Sequence, residues 1–99
     1  MQLKKTSAQE LKETVPFMVS DDYKNRFIAE YHQTKIRYER LKAFNNKIEA
    51  ARATEYSPTK KAEMPTHDCP EDLLRHQQSV MGEYLHILEV RAIIEGIDL

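Results

Sequence analysis

Glycine is almost missing from this chain of 99 residues: there are two, Gly82 and Gly96, beside four prolines. That scarcity excludes a turn-rich β-protein, and no stretch shows the Val/Ile/Thr alternation of strands. Cysteine is a single residue, Cys69, so no internal disulfide can form and a reducing compartment is expected. No apolar run approaches the roughly 20 residues of a membrane span, and the opening Met1-Gln2-Leu3-Lys4-Lys5 has no apolar leader core. A cytoplasmic protein with no membrane partner is the expectation. Catalytic signatures are missing as well: no Gly-rich phosphate loop, no nucleophile elbow, no His-Glu-x-x-His pair. An enzyme is therefore not expected, and no catalytic residue or cofactor is assigned. His67, Cys69 and His76 stand close together, but their spacing matches no standard zinc arrangement and a fourth ligand is lacking, so no metal is assigned.

What is present is a soluble helical composition, 31% charged and 40% hydrophobic, in one small domain over residues 1–99. A chain of this length buries only a thin core, which favours assembly with a second copy. Residues 1–19 read as an arm, where Thr6 or Ser7 caps a short helix over residues 8–14 and Pro16 stops it. Phe17, Met18 and Val19 suit a hydrophobic staple against the next helix, which Ser20 caps and which runs over residues 21–53. Along it Phe27, Tyr31, Thr34, Tyr38, Leu41, Asn45 and Ile48 recur at spacings of four and three, a coiled-coil-like seam. Asn45 is polar where an apolar residue is expected, which we read as register or oligomer specification ahead of ligand contact.

Residues 54–69, with Pro58 and Pro65, form a connection longer than a bundle turn requires, either disordered or a lid. A second helix over residues 70–96 begins with Pro70 at its first helical position and Glu71 and Asp72 in the first turn. Leu73, Gln77, Val80, Tyr84, Ile87, Arg91 and Ile94 make one seam, and Leu74, Met81, Leu85 and Leu88 a second beside it. One hairpin partner covers only one of these, so the other predicts a homo-oligomer, a dimer or higher. Gly82 inside this helix suggests close helix approach, and Gly96 an ordinary stop.

The net charge of −1 hides an asymmetry. Residues 21–52 carry eight basic against five acidic side chains, and residues 70–99 two basic against six acidic, which favours pairing of the two helices. On the basic helix Lys24, Tyr31, Lys35, Tyr38 and Lys42 follow at intervals of seven, four, three and four, with Arg37 and Arg40 bordering that face. Rings stack on nucleobases while ammonium and guanidinium groups meet phosphate, so this face is the candidate ligand-binding set, joined by Arg75 if the hairpin closes. A structural explanation stands beside it: both tyrosines also belong to the apolar seam, and lysine stems commonly flank a core. The slightly acidic balance argues against long nucleic acid as a partner.

The segments Asp22-Tyr23-Lys24-Asn25-Arg26-Phe27, Lys35-Ile36-Arg37-Tyr38-Glu39-Arg40-Leu41, Cys69-Pro70, Met81-Gly82-Glu83-Tyr84-Leu85, Leu88-Glu89-Val90-Arg91-Ala92 and Glu95-Gly96 resemble a family of small phage proteins related to a crAss-like phage gene product. The resemblance implies a phage or prophage accessory protein in the bacterial cytoplasm, and it brings no assigned functional residues. In size, hairpin form and expected oligomerisation the chain is similar to phage sponges, which sequester the nucleotide signals of bacterial immune systems such as CBASS and Thoeris. The expectation is thus an all-α protein: a long antiparallel helical hairpin with an N-terminal arm, assembled as a homo-oligomeric bundle. It would hold a small nucleotide signal between subunits. The alternative is a protein–protein interaction module that binds and inhibits or adapts a host protein.

Overall fold

A computed structural model describes residues 6–99. The described residues form three helices and no strand: α1 (Ser7–Met18), α2 (Tyr23–Ala53) and α3 (Glu71–Glu95).

Local chemistry explains where each helix starts and stops. Thr6 caps α1 in a reciprocal box, its Oγ1 accepting from the Gln9 amide at 3.2 Å while Gln9 Oε1 accepts from the Thr6 amide at 2.8 Å. Pro16, expected to end this helix, lies inside it instead. Its missing N–H removes one bond near the helix end, and the helix continues to Met18. Of the residues expected to staple, Phe17 lines the groove between α1 and α2 and Met18 Sδ accepts from Gln33 of α2 at 3.4 Å, while Val19 stays exposed. The cap of α2 is Asp22 rather than Ser20, because the Ser20 hydroxyl is occupied two residues earlier, accepting from the Asp22 amide and from Asn25 Nδ2 at 3.1 Å each. Pro70 sits one position earlier than expected, at the cap of α3, where its carbonyl accepts from the Leu73 and Leu74 amides. Gly96 ends α3 at φ +70°, a left-handed conformation natural to glycine, and the turn folds Ile97 back into the core.

The packing places α1 and α3 on different sides of α2, without contact between them. α3 runs antiparallel to α2. Tyr23 Oη donates to Glu95 at 2.9 Å at one end, Tyr31 Oη to Glu89 at 2.5 Å further along, and Arg52 meets Glu71 at 2.6 Å at the other end. The Arg52 hydrogen bond holds the Glu71 carboxyl below the usual carboxylate range. Phe27, Tyr31, Leu85, Leu88, Ala92 and Ile97 form the core, and Ile48 and Ala51 are buried nearer the connection. Of the two apolar seams of α3, the one containing Leu85 and Leu88 faces α2. Leu73, Val80, Ile87 and Ile94 of the other stay 48–77% exposed.

The connection is tied down by short-range hydrogen bonds. The Ala62 amide donates to Thr54 Oγ1 at 2.9 Å and the Lys60 amide to Ser57 Oγ at 3.1 Å, while the His67 ring stands edge-on to Phe44 at 6.2 Å.

Candidate functional site

Two depressions flank α2. The groove toward α1 encloses about 770 Å³ over an apolar floor of Ile28, Ala29, Ile36 and Ala43, with His32 and Lys35 in its wall. Burial and the Lys35 charge push the His32 pKa down, disfavouring the charged imidazolium. The cleft toward α3 encloses about 570 Å³ and is polar: Tyr38, Asn45, Asn46 and Glu49 come from α2, and Arg75, Gln78, Ser79 and Gly82 from α3. The antiparallel register creates it, bringing the second half of α2 against the first half of α3. Volumes of this order match those of small-molecule sites.

The residues of the basic face are distributed rather than gathered. Tyr31 belongs to the core, 5% exposed, and burial together with the Glu89 hydrogen bond pushes its pKa up to about 12. Lys35 Nζ stands 5.9 Å from the Tyr31 ring centroid and borders the α1 groove. Tyr38 is half-buried and lines the α2/α3 cleft together with Arg75, whose guanidinium meets Asp72. Lys42 is exposed one turn from both Tyr38 and Asn46. Arg37 lies about 200° around the helix from Lys35, on another flank, and neither it nor Lys24 lines the groove or the cleft. Among the described residues no three His, Cys, Asp or Glu side chains gather as a metal site, and His67 turns to Glu71 and to the Pro65 carbonyl.

The cleft also holds two positions at which the sequence departs from its helical pattern, Asn45 and Gly82. Asn45 is buried, and its Nδ2 donates to the Leu74 carbonyl at 3.2 Å and to Gln78 Oε1 at 2.8 Å. Its Oδ1 is buried with no hydrogen-bond partner. Gly82 lies beside the Tyr38 ring, where an added Cβ would stand 3.5 Å away, an ordinary van der Waals contact. Close helix approach therefore does not require glycine here. Gly82→Ala is expected to stabilise the protein by about 0.5–1 kcal/mol, the helix-interior difference between the two residues, read as a raised denaturation midpoint. A lowered midpoint would show that the helices are tighter than this contact distance. Reading each anomaly separately as packing missed the cleft; the signal was that both break the pattern on helices expected to pair.

Comparison with curated proteins and with solved structures finds no match. The family described as Sequestin matches residues 21–94, which include all of α2, the connection, α3 up to its last residue and every residue lining the cleft. A match over that much of the chain assigns it: the protein belongs to the Sequestin family, whose name marks its members as sequestering proteins.

Proposed function

We propose that the protein binds and retains a nucleotide-derived bacterial immune signal without converting it, as a phage-encoded sponge in the host cytoplasm. The observation that carries this reading is the α2/α3 cleft, which sets one aromatic ring, one guanidinium, the Glu49 carboxylate and several amide and hydroxyl groups around a volume suited to a nucleotide. Tyr38 stacks on a base, and Arg75 meets phosphate as a charge-assisted donor, exchanging its exposed contact with Asp72 for the ligand. Lys42, exposed one turn from Tyr38, adds positive charge from α2, while Lys35 borders the groove toward α1. Tyr31 positions the helices through Glu89, and Lys24 and Arg37 stand outside the cleft.

Membership of a sequestering family supports retention over turnover. The uncovered seam of α3 supports assembly: Leu73, Val80, Ile87 and Ile94 follow one another every seven residues on one face and stay exposed, with Gln77, Tyr84 and Arg91 between them. A second copy covering this strip gives the homo-oligomer. The same strip is what favours the competing reading, in which a host protein docks there and is inhibited or adapted.

The test is to incubate the purified protein with cyclic dinucleotides, cyclic oligonucleotides and ADP-ribose derivatives, filter, and chromatograph the free compounds, with light scattering for the oligomer. One compound depleted and recovered intact after heat denaturation is the expected result. New product peaks would reveal an enzyme. A panel left undepleted by a monomeric protein would favour the host-protein reading.

A further inference from the structure

Shape and surface both point to a missing partner. The chain measures 56 × 32 × 25 Å with a radius of gyration of 17.1 Å, where a compact domain of this length has about 13 Å. It exposes 7688 Å², whereas a compact monomer of 11.6 kDa exposes about 5,800 Å². The excess of about 1,900 Å² exceeds the roughly 800 Å² that each partner gives up in an ordinary stable interface. On α3 the exposed apolar side chains of Leu73, Val80, Ile87 and Ile94 share one face.

Their spacing indicates what fits there. A residue every seven positions looks the same from either end, and the midpoint of the four lies between Glu83 and Tyr84. Turning a second α3 end over end about that point sets Val80 beside the partner's Ile87 and Leu73 beside the partner's Ile94. Both chains then offer the same surface, as a two-fold contact requires. Antiparallel helices also oppose their dipoles, whereas parallel ones would align them and set Glu71 and Asp72 against their own copies. The acidic balance of α3 is mostly met within the chain: Glu71 pairs with Arg52, Asp72 with Arg75 and Glu95 with Arg91, and Glu89 accepts from Tyr31. Glu83, the remaining carboxylate of the helix, stands at the midpoint, where it meets its own copy. Gln78 and Gly82 of the cleft lie about 160° around α3 from Val80, so this contact leaves the cleft open.

Going beyond ligand capture, we propose that α3 pairs antiparallel with α3 of a second copy across this seam, giving a two-fold dimer centred beside Glu83. A different protein would have to supply a matching repeat; a second copy already carries it.

Cys69 tests the arrangement without altering the chain, being the single cysteine and exposed just before α3. Spin labels on Cys69 of the full chain should lie about 44 Å apart by pulsed electron spin resonance, twice the helical rise from Cys69 to the midpoint. Labels within about 20 Å of each other, as helices packed side by side and parallel would place them, overturn the antiparallel orientation. Wild type that sediments as a monomer at every concentration overturns the contact itself, while a nucleotide retained by that monomer leaves sequestration standing. Ile87→Asp should weaken the dimer at least about a hundredfold, because it buries an unpaired carboxylate, and should stay helical, because Ile87 is exposed within one chain. A folded Ile87→Asp that dimerises like wild type overturns the seam as the contact. Glu83→Gln should act the other way, tightening the dimer severalfold at low salt and less at high salt, since it removes a like-charge pair. Should Ile87→Asp fail to fold, Glu83→Gln decides: a tighter dimer supports the two-fold centre, and an unchanged or weaker one overturns it.

Discussion

Leu88→Ala is expected to remove about 2–5 kcal/mol of stability, the cost of deleting a buried leucine side chain and leaving a cavity. Leu88 is 1% exposed at the centre of the α2/α3 core, among Phe27, Tyr31, Leu85 and Ala92. A domain of this size holds only about 5–15 kcal/mol in total, so the loss is a large fraction of the whole. Urea denaturation at fixed protein concentration should show a lower midpoint with an unchanged slope. The comparison that gives this meaning is Ile87→Ala. Its neighbour lies on the uncovered seam, 55% exposed, and within one subunit should cost far less. Equal losses at the two positions would mean that the exposed seam is buried as firmly as the core, and so that a second copy covers it. A small loss at Leu88 alone would contradict the helix pairing described above.

Tyr38→Ala with Arg75→Ala should weaken retention of the captured nucleotide at least about a hundredfold, since stacking on an aromatic ring is worth about 1–3 kcal/mol and a hydrogen bond to a charged group a similar amount. Arg75 is exposed and Tyr38 only half-buried, so the double variant should remain folded and helical by circular dichroism. The single variants locate the effect. Loss of Tyr38 should act on any ligand with a base, whereas loss of Arg75 should act in proportion to phosphate charge and fade as salt rises. A double variant that still depletes the compound would move the ligand to the groove beneath α1, where Lys35, Arg40 and His32 stand among the carboxylates of Glu10, Glu13 and Glu39.

Much of this architecture was legible in the order of residues. Spacings of three and four placed both long helices, and Gly96 marked the end of α3. Errors fell where two residues of similar chemistry compete. Ser20 and Asp22 are both good caps, and the hydrogen bonds that Ser20 accepts from Asp22 and Asn25 decide for Asp22. Pro16 is a helix breaker by type, yet it stands so near the end of α1 that the bond it removes is one of the last.

The candidate site divides differently. A single periodic face put Tyr31 and Tyr38 together, and both do lie on the side of α2 turned to α3. About two helical turns apart, they have opposite fates: Tyr31 meets Leu85 and Leu88 in the core and bonds Glu89, while Tyr38 meets Gly82 and looks into the cleft. The difference comes wholly from what α3 presents at each level, large apolar side chains in one place and a missing side chain in the other.

The sequence by itself determined the helical class, the positions of α2 and α3, their opposite charges and the presence of two apolar seams on α3. These follow from propensity, periodicity and capping, which act within a few residues along the chain. Tertiary structure alone decided which seam is buried, that Tyr31 is core, and that Asn45, Tyr38, Gly82 and Arg75 share one cleft. Those outcomes depend on the register and rotation of two helices whose contacting residues stand about thirty to seventy positions apart, as Asn45 with Gln78 and Tyr23 with Glu95 do. Such pairings are selected by the summed packing of both helices, which no local stretch contains.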